Sequence, residues 1–162
     1  MVDLHTHTTA SDGMLTPSQL VDAAKKIGLA AIAITDHDTI DGLQEGLAAG
    51  MRIGIEVVPG IELSARSDAK THIVGLQIDY HSHELEDALA VLKERRNQRN
   101  RKIVDALRTI GLPITWREVE DIAAGGVIGR SHIARVLQKN HAVSSVADAF
   151  SCYLNRGCPG YV

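Results

Sequence analysis

The chain has 162 residues, 44% of them apolar, which is enough for a domain with a buried core. Aromatic residues make up only 3%, so we expect a core of Ala, Ile, Leu and Val. The formal charge of −3 argues against non-specific nucleic-acid binding by the whole surface. The sequence has no apolar run near the roughly 20 residues of a membrane helix and no signal-peptide pattern. With Cys152 and Cys158 interpreted as reduced thiols, we expect a soluble, cytoplasmic protein.

Short apolar strands alternate with helices in the first half of the chain. Thr16 and Gln19 form a capping box around Pro17, and Gly28 ends the helix that they begin. The apolar run 31–35 is typical of a strand covered on both faces. The predicted strands are 2–5, 31–35, 57–64 and 72–78, with a second helix over about 41–49. This order predicts a mostly parallel α/β sheet or part of a barrel.

From residue 81 onward the pattern becomes helical. A long helix is predicted from about 84 to 110, where Gly111 and Pro113 end it. A second capping box at 115–118 begins another helix, and two more helices are predicted to start near Ser131 and Ser145. We therefore predict two units, an α/β part at 1–80 and an all-helical part at 81–162.

Histidines and carboxylates stand where the predicted strands end. His5 and His7 lie two residues apart, so both side chains are expected on one face of the first strand. Two imidazoles at such a strand end suit Mn, Fe or Zn. The full set of candidate ligands is His5, His7, Asp12, His37, Glu62 and His72. Each one alone could cap a strand or support a ligand, but a buried charged group is costly unless it is paired or metal-bound. The six together predict a metal centre.

The motifs that carry these residues resemble those of a known family. The stretches DLHTHTTASDG, ITDHDTIDG, VVPGIELSA and THIVGL resemble successive motifs of the PHP (polymerase and histidinol phosphatase) family of metal-dependent phosphoesterases. In the helical half, GRSHIARVL and AFSCYLNRGCPGYV resemble the insertion of the branch that acts on nucleotides. That branch includes nucleoside 3′,5′-bisphosphate phosphatases and 5′–3′ exoribonucleases that act on short RNA.

The resemblance implies a fold and a reaction. The fold is a distorted seven-stranded α/β barrel, of which this chain carries the N-terminal strands and an all-helical insertion. The six candidate ligands would hold two or three divalent ions, Mn first and Fe or Zn as alternatives, with Glu62 bridging. In this family a metal-bound hydroxide attacks the phosphorus of a phosphate monoester. Asp36 and Asp38, which flank His37, are predicted to orient that ligand or a water molecule.

The substrate is predicted to be a small nucleotide or a short RNA. Arg130 and His132 stand at a predicted helix start, where phosphate binds well, and Ser64 is a further candidate contact. The basic run 93–102 is interpreted as a solvated helix face. The alternative is that Arg96 and Arg99 face a polyanion. So few aromatic residues argue against a long single-strand platform.

The sequence also departs from the family pattern. A later His followed by Pro and a final Asp-x-His, which complete the family's site, are both missing. We therefore expect the N-terminal part of a longer protein and do not expect full activity from this chain alone. The competing interpretations are a histidinol-phosphatase-like enzyme, an amidohydrolase, and a truncated or non-catalytic PHP module.

Overall fold

A computed structural model describes residues 1–65 and 71–162 of the chain. The strands are β1 (Val2–Thr6), β2 (Ala31–Ile34), β3 (Glu56–Ser64) and β4 (His72–Leu76). The helices are α1 (Pro17–Lys26), α2 (Leu43–Ile53), α3 (His83–Thr109), α4 (Trp116–Ala123), α5 (Arg130–Lys139) and α6 (Val146–Ala149). A π-helical segment, Phe150–Leu154, follows α6 directly. Among the described residues, no helix is both long and apolar enough to cross a bilayer.

The four strands form one sheet in the order β1-β2-β3-β4. β1, β2 and β3 run parallel, whereas β3 and β4 are antiparallel. Helices α1 and α2 connect the parallel strands, but β3 and β4 are separated only by residues 65–71. A parallel crossover needs about a dozen residues or more, so this short connection reverses the chain direction. The predicted mostly parallel sheet is therefore confirmed, with one antiparallel edge strand.

Local sequence signals set the helix starts. Thr16 caps α1 in a reciprocal box with Gln19, and Pro17 is its first residue, as predicted. The apolar faces of α1 and α2 pack on β2, whose four residues are all buried. This core is small and aliphatic, as the composition predicts, and it consists of Val21, Ala24, Ile32, Ile34, Leu43, Ala49 and Ile55.

The described residues divide into two compact units, Met1–Lys93 and Glu94–Val162, so the division falls inside α3. The first turns of α3 belong to the first unit, where Leu89 is buried. The second unit has its own core, in which residues of α3 pack with Val119, Ile133 and Leu137 from the later helices. The boundary at residues 80 and 81, drawn where the sequence becomes helical, stays a prediction.

Replacing Thr115 with Ala is expected to destabilise the second unit by about 1 kcal/mol. Thr115 caps α4 and accepts from the Glu118 backbone N–H, while its hydroxyl donates to the Glu118 carboxylate at 2.7 Å. That hydroxyl is the main reason that the pKa of Glu118 lies below its ordinary value. Because the pKa of Glu118 is lower in the folded chain than in the unfolded chain, its ionised carboxylate stabilises the fold. This stabilisation is complete above the ordinary pKa and is lost as the pH falls through the folded-state pKa. Urea unfolding should therefore show a larger effect of Thr115→Ala at pH 7 than at pH 3. Thr109→Ala, an exposed position at the end of α3, is the control.

Candidate metal centre

Glu62 is the centre of a cluster at the carboxyl end of β3. Its Oε2 lies 2.9 Å from Nε2 of His5 and 3.0 Å from Nε2 of His7. The same oxygen is 3.4 Å from Nδ1 of His37, and Oε1 is 2.7 Å from Nδ1 of His72. The carboxylate side chain is only 7% exposed. Four imidazoles thus surround one buried carboxylate.

The sheet explains why these side chains meet. β1, β2 and β3 are parallel, so His7, His37 and Glu62 come from strand ends at one edge. His37 forms a parallel bridge with Glu62 beyond the end of β2. β4 is antiparallel to β3, and Ser64 pairs with His72, so the start of β4 lies at the same edge. The predicted strand-end clustering therefore includes the fourth strand because its direction is reversed.

An irregularity in β1 accompanies the predicted His-x-His pair. The pairing of β1 with β2 shifts between Asp3 and Thr6, so β1 has one extra residue in this stretch, which contains His5. Bulges of this kind commonly re-aim a side chain beside a functional site. The Nε2 atoms of His5 and His7 lie 3.3 Å apart, as expected for two rings on one face.

Asp12 joins the cluster from the turn after β1. Its Oδ1 lies 3.8 Å from Nδ1 of His7. The ligand atoms form three groups, and within each group the atoms lie no more than 4.8 Å from one another. The groups are His5, His7 and Glu62; His7, Asp12 and His37; and His37, Glu62 and His72. The structure thus brings together all six residues predicted to bind metal.

Asp36 holds the turn that follows β1. It is buried, and its Oδ1 accepts from the Thr8 backbone N–H at 2.7 Å and from the Ser11 hydroxyl at 2.5 Å. Its Oδ2 accepts from the Thr8 hydroxyl at 2.6 Å. Through Ser11, 3.4 Å from Nδ1 of His7, this network reaches the cluster. The sequence patterns did not point to Thr8 and Ser11; the available signal was the small hydroxyl residues that follow His7 in the first motif. That Asp36 orients His37 stays a prediction.

The donor set of the cluster fits a cation. Ser11 donates to Asp36, so it is placed to accept from Nδ1–H of His7. In the tautomer that makes this bond, the Nε2 of His7 carries a lone pair that faces Oε2 of Glu62 at 3.0 Å. Two acceptors at this distance repel unless a proton or a metal ion lies between them. Imidazole nitrogens and carboxylate oxygens, without thiolates, are the ligands of Mn, Fe and Zn sites.

The electrostatics keep Glu62 in its metal-binding form. Burial alone would raise the pKa of Glu62, but hydrogen bonds from His5 and His72 and the charge of His37 outweigh it. They hold the pKa of Glu62 below its ordinary value. The carboxylate is therefore ionised at neutral pH, as a metal ligand must be.

Asp38 and Ser64 lie beside the cluster and contact each other. Oδ1 of Asp38 accepts from the Ser64 backbone N–H at 2.9 Å. Asp38 has a φ of +52°, in the left-handed region that Asp tolerates better than most residues. This bond ties the loop after β2 to the end of β3. The predicted catalytic role of Asp38 and the predicted substrate contact of Ser64 stay predictions.

Arg130 and His132 belong to the second unit. His132 is buried, and its Nδ1 accepts from the Gly129 backbone N–H at 2.9 Å, so it caps α5. Burial lowers the pKa of the half-buried Arg130, and the nearby Arg96 lowers it further. The Nη1 of Arg96 lies 3.6 Å from the place where a Cβ on Gly129 would stand. Two guanidinium groups therefore flank the N-terminal end of α5.

Residues 3–106, well over half of the chain, match the family profile of the PHP domain. The chain belongs to the PHP domain family. All six candidate ligands of this PHP chain lie within the matched segment. The resemblance inferred from the four motifs is thereby confirmed.

Relatives of this PHP chain match it from end to end. It is 41% identical to the 5′-3′ exoribonuclease Rnm of Escherichia coli, over 99% of this chain and 56% of that protein. It is 37% identical to the 3′,5′-nucleoside bisphosphate phosphatase of Chromobacterium violaceum, over 99% of this chain and 57% of that protein. The PHP chain thus spans a little over half the length of these relatives.

A solved structure confirms the predicted fold class. A Bifidobacterium adolescentis chain described as a metal-dependent phosphoesterase superposes with a TM-score of 0.93 at 33% identity. The match covers 99% of this PHP chain and 57% of the other. A four-stranded half barrel followed by helices is therefore the architecture that the two chains share.

Proposed function

We propose that this chain forms the metal-binding part of a metal-dependent phosphoesterase that hydrolyses a phosphate monoester of a nucleotide. The observation that carries the proposal is the convergence of His5, His7, Asp12, His37 and His72 around Glu62. The substrate class, a nucleoside 3′,5′-bisphosphate or the 5′ end of a short RNA, follows the names of the relatives in Chromobacterium and Escherichia. Divalent ions bound there would polarise phosphoryl oxygens and lower the pKa of water.

The ligand groups overlap in a way that suits two or three ions. His7, His37 and Glu62 each belong to two of the three groups, and Glu62 offers a different oxygen to His72 than to the other imidazoles. Glu62 is therefore the bridging ligand in this proposal. Manganese is the metal that we propose first, because the mixed nitrogen and oxygen donors suit it and the family resemblance favours it.

Side chains outside the metal cluster have proposed roles in binding the substrate. Arg130 is the first residue of α5, and Arg96 of α3 lies near it. Arg130 would contact a phosphate of the substrate. His132 would support this contact by capping α5, since its Nδ1 accepts a hydrogen bond from the Gly129 backbone N–H. Asp38 would hold Ser64 in place at the end of β3. We propose the cytoplasm as the location, because Cys152 and Cys158 are free thiols.

The proposal predicts that the chain retains two or more ions after Mn reconstitution and desalting, as measured by elemental analysis. The reconstituted chain should then release phosphate from a nucleoside 3′,5′-bisphosphate or a 5′-phosphorylated short RNA, and EDTA should stop the release. His141→Ala, an exposed histidine of the second unit, is the matched control and should change neither result. One ion or none per chain would contradict the proposed centre. A full metal load without phosphate release would contradict the proposed reaction.

A further inference from the structure

A cleft of about 280 Å³ opens beside the metal centre, within the first unit. One wall is the loop after β2, and the other is the first turns of α3. Asp38 lines the cleft, follows His37 of the cluster directly in the chain, and accepts a hydrogen bond from the Ser64 backbone N–H. A substrate held at the cluster can therefore extend into this cleft.

The lining of the cleft is unsuited to phosphate. Among the described residues that line it, Asp38, Asp41 and Glu86 present three carboxylates and Lys93 presents one ammonium group. Like charges in close contact cost free energy, so a second phosphate group is disfavoured here. The same lining includes Ile40, Leu89 and Ala90, which are apolar. A flat, uncharged ring whose edge carries N–H donors satisfies both parts of the lining.

We propose that this cleft is the nucleobase subsite of the phosphoesterase and that Asp41 and Lys93 make it selective for guanine. The inference rests on the proposed function, since it assumes a nucleotide at the metal centre. The cleft volume lies near the lower end of the range for small-molecule sites, about 300–1,000 Å³, as suits one base. Aliphatic side chains, rather than stacked aromatic rings, would cover the faces of the base.

The rim pair explains the choice of base. Oδ2 of Asp41 lies 3.8 Å from Nζ of Lys93, which places an acceptor and a donor side by side. The edge of guanine offers the complement, two N–H donors beside the O6 acceptor, and a carboxylate accepts both donors at once. Uracil and adenine offer this carboxylate one donor group each. The backbone of Asp41 is held by its N–H bond to the Thr39 hydroxyl at 3.1 Å, so the carboxylate is presented from a fixed turn.

The test is the affinity of the Mn-reconstituted chain for hydrolysis-resistant phosphorothioate analogues of GMP, AMP, CMP and UMP, measured by calorimetry with the metal in place, because the inference assumes a nucleotide at the metal centre. The phosphorothioate and ribose are common to all four ligands, so the ratios report the base alone. The GMP analogue should bind at least about tenfold more tightly than the UMP analogue, and Asp41→Asn should remove that preference. Lys93→Met should weaken binding of the GMP analogue more than that of the UMP analogue.

Asp22→Asn is the matched control, because Asp22 also pairs with a cation, Arg52, at 3.9 Å but does not line the cleft. It should keep the wild-type ratio. Equal affinities for the four analogues, no binding of the GMP analogue, or an unchanged ratio in Asp41→Asn would overturn the inference. Phosphate release is assayed separately: its absence with an intact GMP preference would reject the proposed reaction and leave the base subsite standing.

Discussion

Replacing Glu62 with Gln is expected to lower the Mn retained per chain at least about tenfold. The carboxylate contacts His5, His7, His37 and His72, and it lies at the centre of the cluster. Gln keeps the volume but removes the negative charge and one acceptor oxygen. Its amide N–H groups would also face imidazole nitrogens that must present lone pairs to a metal. Elemental analysis after reconstitution and desalting measures the loss.

The control for this change lies on the same strand. Glu56 begins β3 at the opposite end and is exposed, so Glu56→Gln should retain the wild-type metal content. Both variants should still unfold cooperatively on heating in EDTA, because Gln keeps the volume of Glu62 and can replace part of its polar contacts. Wild-type metal content in Glu62→Gln would show that the cluster does not bind metal through this residue.

Replacing Asp36 with Asn is expected to destabilise the first unit by about 2 kcal/mol and to weaken metal binding by about 10–100-fold. The buried carboxylate accepts three hydrogen bonds from Thr8 and Ser11, and hydrogen bonds to a charged group are the stronger kind. Asn leaves a donor facing the Thr8 hydroxyl, which already accepts from the Ala10 N–H. The loosened turn would release Ser11 and, with it, the orientation of His7. Urea unfolding and Mn titration measure the two effects.

Two further variants distinguish a specific loss of metal binding from a general loss of stability. Asp22→Asn removes an exposed carboxylate on α1 and should alter neither quantity. Ser11→Ala removes the link between Asp36 and His7 and one of the three hydrogen bonds to Asp36, so it should lower the free energy of unfolding less than Asp36→Asn does while still weakening Mn binding. Unchanged metal affinity in both Asp36→Asn and Ser11→Ala would contradict the role of this network.

The predicted elements that the structure reproduces most closely are those with local causes. The capping boxes at Thr16 and Thr115 begin α1 and α4, because a side chain three residues away satisfies the free N–H groups of a helix start. The strand 31–34 is apolar and buried at every position, as its sequence predicts. The ends of α2 differ more, since it begins at Leu43 and continues to Ile53, beyond the predicted 41–49.

The candidate ligands and their places at strand ends could be predicted from residue types and spacing, because residues two apart on a strand share a face and parallel strands end at one edge. How these residues come together depends on the fold. The reversed direction of β4 brings His72 to Glu62, and β1 has its extra residue in the stretch that contains His5. Asp36 meets Thr8 and Ser11 across 25 residues or more, a contact that no local pattern encodes. The physical reason is that strand direction and long-range hydrogen bonds depend on which backbone and side-chain groups remain to be satisfied once the core has packed.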